Sequence, residues 1–156
     1  MKHRKDKFLL GVFLGILMVT MAVLSGCGAK AEPKPDPGSG KYLIYYLNSS
    51  LTKLVAQEYE TETKDQADLA EELMDQLLHV PRDLDCQPAV NEKVSFKTCR
   101  IDEQVLYLYF DGSYISMKPE QEILCRAALA RTMTQIPGID YISIYRGDQP
   151  LMDRQG

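Results

Sequence analysis

The sequence predicts a single α+β domain, with two helices packed on one face of a mixed or antiparallel sheet of four or five strands. Three observations carry that prediction. Tyr- and Ile-rich extended runs recur from Lys41 onward, and two stretches between them repeat apolar residues at helical spacing. The order of the segments is strand, strand, helix, hairpin, helix, strand, with no internal repeat.

Taken from the amino terminus, "MKHRKDK" carries four Lys or Arg against one Asp, and the 17 residues from Phe8 to Leu24 carry no charge. That is the layout of an export signal. Leu24-Ser25-Gly26-Cys27 closes it and resembles the bacterial lipobox, in which the cysteine thiol is lipidated and the preceding peptide removed. An uncleaved membrane span is the alternative reading of the apolar run. Residues 1–26 are thus read as a lipoprotein signal peptide and Cys27 as the lipidation site, which places the mature chain on the extracytoplasmic face of the cell membrane. Residues 28–40, "GAKAEPKPDPGSG", hold three prolines and three glycines and read with Cys27 as a tether.

The domain is assigned to residues 41–152, with 153–156 as a tail. "KYLIYYLN" (41–48) reads as a strand closed by Asn-Ser-Ser, and a second extended stretch runs from Leu51 to Glu62. A helix follows: Thr63 and Gln66 have the form of a capping box, and Ala67, Ala70, Leu73, Met74, Leu77 and Leu78 recur at helical spacing until Pro81 stops it. Residues 82–92 read as loop. Val94–Ile101 and Val105–Phe110 form a hairpin around Asp102-Glu103-Gln104, and alternation puts Leu106, Leu108 and Phe110 on one face and Val105, Tyr107 and Tyr109 on the other. Asp111-Gly112 has the composition of a tight turn. Pro119 suits the first turn of a second helix, Glu120 and Glu122 favour its positive end, and Pro137-Gly138 ends it. Tyr141–Tyr145 is the last strand, before a turn at Arg146-Gly147-Asp148.

Without its leader the chain keeps 14 basic and 21 acidic residues, a formal charge of −7, which argues against nucleic acid or anionic lipid as a partner. Cys86, Cys99 and Cys125 are an odd number after Cys27, so at least one stays free or pairs between chains. Their spacing, with His79 alone nearby, does not form the close pairs of a zinc site, and neither metal nor cofactor is expected.

Two chemistries compete for the function. A wall-glycan hydrolase needs a pair of carboxylates, and Asp111, Glu120 and Glu122 are the candidates. Each also has a local explanation, as a strand-end turn residue or a first-turn helix acid. Asp102 and Glu103 belong to a hairpin turn, and Glu71 and Glu72 diverge by about 100° on a helix. His79 lacks a nucleophile partner and reads as a helix-end residue. The other chemistry is binding. Tyr42, Tyr45, Tyr46, Tyr107, Tyr109, Tyr141 and Tyr145 all fall on strands, where sheet packing and interface formation both favour tyrosine. The face bearing Val105, Tyr107 and Tyr109 is the candidate binding surface.

Five motifs in order, "YYLNSSLTKLVAQEYE" (45–60), "ELMDQLLHVP" (72–81), "LDCQPAV" (84–90), "VLYLYFDGSY" (105–114) and "LARTMTQIPGIDYISIYRGDQPL" (129–151), resemble the GerM domain of sporulation and germination proteins and other bacterial lipoproteins. The chain departs from the family at Val80, where Gly is usual before the proline, and at Phe110-Asp111-Gly112-Ser113. It carries one such domain where the name-giving proteins tend to carry two. The resemblance implies a non-enzymatic module with an architecture like that of ring-building domains in envelope-spanning assemblies. Its implied partners are an envelope protein or the cell wall, in sporulation, germination or envelope assembly.

Overall fold

The structure, a computed structural model, describes residues 39–151. The leader, the lipobox with Cys27, most of the tether, Met152 and the tail lie outside the described residues.

Seven strands and two helices follow one another: β1 (Lys41–Asn48), β2 (Leu54–Glu60), α1 (Gln66–Leu78), β3 (Cys86–Gln87), β4 (Phe96–Asp102), β5 (Val105–Phe110), a 3-10 helix (Gly112–Ser116), α2 (Pro119–Met133), β6 (Tyr141–Arg146) and β7 (Gln149–Pro150). The class is the α+β arrangement the sequence predicts. The strands, however, divide between two sheets, β2-β1-β3 and β4-β5-β6-β7, rather than sharing one of four or five.

The cause of the division lies in α2. On the side of β1 away from β2, Tyr45 N–H donates to Thr132 Oγ1 at 3.2 Å and Leu43 N–H to Gln135 Oε1 at 2.8 Å, while Gln135 Nε2 donates to Leu43 C=O at 2.8 Å. One side chain from the last turn of α2 and one from the turn just after it therefore occupy the backbone groups that another strand would have paired, and only Leu47 and Asn48 remain to pair with β3. Thr132 is fully buried, so its hydroxyl is fixed in that role.

Both helices bury one stripe. In α1 it is Leu69, Ala70, Leu73, Met74 and Leu77, and in α2 Cys125, Ala128, Leu129, Thr132 and Met133, each following the three-four repeat of a helix face. The helices touch each other, α1 also meets β1 and β4, and α2 also meets β1 and β6, so one core joins both sheets. The 15 residues of α2 carry the chain from β5 back to a parallel β6, a connection no short turn can make.

Local differences from the sequence reading have local causes. Asp65, not Thr63, caps α1, its carboxylate accepting from Ala67 and Asp68 N–H at 2.9 and 3.1 Å. Gln66, the other half of the expected box, instead donates to the Pro137 carbonyl. The stretch read as loop holds β3, because Cys86 and Gln87 find the last free positions of β1. Asp111-Gly112 opens a 3-10 turn rather than a hairpin, since the Asp111 side chain accepts from Ser113 N–H. After Gly147, at φ +57°, the chain adds β7 against Tyr145 and Arg146.

Candidate functional site

The outer face of the four-stranded sheet is built by register alone. Opposite partners form three rows across β4, β5 and β6: Asp102, Val105, Tyr141; Arg100, Tyr107, Ser143; and Thr98, Tyr109, Tyr145, with Pro150 of β7 beside Tyr145. The other face of β5, Leu106, Leu108 and Phe110, is fully buried, so the three rows point away from the core. Val105, Tyr107, Tyr109 and Tyr145 are half-buried, and Tyr141 is 66% exposed.

The rings on this face support one another. Tyr145 lies 5.1 Å from Tyr109 and 6.0 Å from Tyr107 between ring centres, and the Arg100 guanidinium sits 4.8 Å over the Tyr107 ring. Asp102 lies 3.7 Å from Arg100, a contact between two exposed side chains. Such a platform offers flat apolar area, hydroxyls at its edge and one stacked cation, with side chains already held in place, so that ordering them on binding costs little. The sequence reading put Val105, Tyr107 and Tyr109 together correctly. It did not place Arg100, Tyr141 or Tyr145 beside them, because Arg100 arrives through the antiparallel β4–β5 register and the two tyrosines through the parallel β5–β6 register. Tyr42, Tyr45 and Tyr46 go to the core instead, each 5% exposed.

The candidate carboxylates are dispersed over separate local partnerships. Asp111 accepts from the Ser113 hydroxyl and N–H and lies 3.9 Å from Lys97; the Ser113 hydrogen bonds hold its carboxyl below the usual range. Glu122 pairs with Arg126 at 2.6 Å on the same helix, and Glu120 is exposed in the first turn of α2. Glu71 is exposed, whereas Glu72 turns inward, accepting from Tyr59 OH at 2.6 Å. Hydrogen bonds from the Thr63 and Tyr59 hydroxyls lower the Glu72 carboxyl, and the same contact pushes Tyr59 up to about 12. An acid held ionised in this way is poorly suited to donate a proton. His79 caps the end of α1, with Nδ1 2.7 Å from the Asp75 carbonyl.

Cys86, Cys99 and Cys125 are all free thiols. Among the described residues no group of three or more His, Cys, Asp or Glu is placed to hold a metal, and no helix is long and apolar enough to cross a membrane.

Fold and surface together define an α+β module with a tyrosine-lined sheet face. A family model described as sporulation and spore germination, Germane, matches residues 43–152, and the chain belongs to that family. Solved structures agree on the fold. The first GerMN domain of the sporulation protein GerM from Bacillus subtilis is 15% identical, with a TM-score of 0.58 over 74% of this chain and 98% of that one. The tandem GerMN domains of the same protein give 14% identity and a TM-score of 0.59 over 71% of this chain, which spans 40% of the tandem. A Clostridium perfringens protein described as "Putative Lipoprotein" is 19% identical, with a TM-score of 0.50 over 78% of this chain and 84% of its own length. No curated protein matches the chain.

Proposed function

We propose that this chain is a lipid-anchored, extracytoplasmic binding module, held to the cell membrane through Cys27 and acting without catalysis in sporulation, germination or envelope assembly. The tether of residues 28–40 carries the GerM-type domain away from the bilayer, reaching on the order of 40 Å when extended. The domain then engages an envelope protein through the outer face of its four-stranded sheet. The observation that carries this reading is the cluster of Tyr107, Tyr109 and Tyr145 with Arg100 stacked on it, on a face the domain's own helices leave open. The family supports the setting, and the lipobox supports the anchor.

Two experiments test it. Cys27→Ala is expected to abolish acylation and leave the full-length precursor, as is globomycin treatment; normal processing and membrane attachment of that variant would refute the anchor. For binding, wild type, Asp111→Asn, Glu120→Gln, Glu122→Gln and a Tyr107→Ala, Tyr109→Ala double variant are compared after each is shown to be folded. Pull-downs from envelope extract are expected to lose their partner only with the double variant. Muropeptide release by wild type that one carboxylate change abolishes would install a hydrolase in place of the binding module.

A further inference from the structure

A recess lies on the other sheet, away from the tyrosine platform. It has a volume of about 380 Å³ and is lined by Ile44 and Tyr46 of β1, by Gln57, Glu58, Tyr59 and Glu60 of β2, by Gln76 of α1, and by Val80, Pro81 and Arg82 after that helix. Four consecutive residues of β2 contribute, from both faces of the strand, so the recess reaches the strand's edge as well as its surface. That edge is open. In the order β2-β1-β3, β2 has a neighbour on one side only, and its pairing with β1 runs through seven positions without a bulge. β4, the long edge of the other sheet, is instead blunted by a register shift between Phe96 and Thr98, with Lys97 at the irregularity.

Three donors of the recess, on Tyr46, Gln57 and Arg82, have no oxygen partner among the described residues, whereas Tyr59 OH is already spent on Glu72. Most of Tyr46 is buried, but its hydroxyl has no hydrogen-bond partner among the described residues and stays open to solvent. Gln57 Nε2 is buried with no oxygen to donate to, its polar neighbour being the Cys86 thiol, a weak acceptor. Arg82 is exposed and forms no ion pair among the described residues, and it is near enough to Tyr46 to act on the phenol electrostatically. Of the three only Gln57 Nε2 is a buried donor left empty, which is costly, while Tyr46 OH and Arg82 are accessible donors beside it.

We propose that this recess binds the carboxy-terminal segment of a partner protein, added as an extra strand on β2, with its terminal carboxylate received by Arg82, Tyr46 OH and Gln57 Nε2. The direction follows from register. Tyr46 is opposite Val55 and Lys41 opposite Glu60, so Tyr46 lies near the start of β2, Gln57 at its middle and the acids toward its end. A peptide whose carboxylate meets Arg82 therefore runs antiparallel to β2. Its upstream residues pass Glu58, which makes a lysine or arginine there the complementary choice. Main-chain hydrogen bonds along an edge supply affinity in such complexes, and end-group and side-chain recognition supply selectivity. Val80, 73% exposed beside the recess, offers apolar contact to the incoming strand.

The site is independent of the tyrosine face, and its test keeps the two apart. Random heptapeptides displayed with free carboxy termini are selected on the full chain in detergent, with Arg82→Gln protein as the counter-target. Hits are resynthesised as free acids and as carboxamides for fluorescence polarisation. The expected result is enrichment of peptides with an upstream basic residue, with binding weakened at least tenfold by amidation, by Arg82→Gln or by Tyr46→Phe, and unchanged by Tyr107→Ala with Tyr109→Ala. Tyr46→Phe removes only a hydroxyl that has no internal partner, so a loss there reports binding and not folding. Absence of enrichment over Arg82→Gln, hits that bind equally as carboxamides, or hits lost with the two outer-face tyrosines would each overturn the proposal.

Discussion

Thr132→Val tests why the sheet divides. The replacement keeps the shape of the side chain and removes an oxygen that accepts from Tyr45 N–H, 3.2 Å away at a fully buried position. No other strand lies there to take the proton, because α2 occupies that side of β1. An unsatisfied buried amide costs about 1–3 kcal/mol, and the added methyl offsets only a fraction of that. For a domain of this size each kcal/mol is worth roughly 4–8 °C in Tm, so a fall on the order of 5–15 °C is expected. Thr134→Val is the control. Its hydroxyl donates only to Ala130 C=O on its own helix, a bond that helix stability does not require, and its expected shift is small. Thermal unfolding by circular dichroism, with urea titration to check that the m-value is unchanged, reads both. Equal Tm values for wild type and Thr132→Val would refute the reasoning that helix side chains terminate the β1 edge.

Three further outcomes follow from the geometry. The Glu72 carboxyl is lowered in the fold from its ordinary 4.5, so it adds stability above that pH which is lost as pH falls through the folded value; Glu72→Gln is expected to lower stability at pH 7 and flatten its acid dependence, measured by urea unfolding from pH 7 to 3. Gly138 holds φ +85° where an added Cβ would come within 2.8 Å of Gln66 Nε2, so Gly138→Ala is expected to cost about 1–2 kcal/mol, read by the same titration. With all three domain thiols free and Cys125 pushed up to about 12 by burial, alkylation of the native protein is expected to label half-buried Cys99 first and Cys125 only after unfolding, as mass spectrometry would show.

Much of this fold is written in local pattern. β1 and β5 stand where their runs of Tyr, Leu and other β-forming apolar residues place them, and Pro119 opens α2 as its fixed φ favours. What the pattern does not hold is long-range. Thr132 and Gln135 look like ordinary polar residues near a helix end, and only the approach of β1 makes them its edge partners. The candidate face was partly visible for the same reason: alternation along β5 joins Val105, Tyr107 and Tyr109, whereas Tyr145 and Arg100 arrive through parallel and antiparallel registers that no single strand encodes. The recess beside β2 was invisible, since Tyr46, Gln57 and Arg82 come from three separate segments.

The central claim is that the outer sheet face meets an envelope partner, and photo-crosslinking in living cells tests it most directly. A photoreactive side chain is placed singly at positions 107, 109 and 141, and at 68 and 71 on the exposed side of α1, in the otherwise full chain. The account predicts one shared adduct with an envelope protein from the three sheet positions and none from the two helix positions. Adducts from positions 68 and 71 alone, or from none of the five, would contradict it.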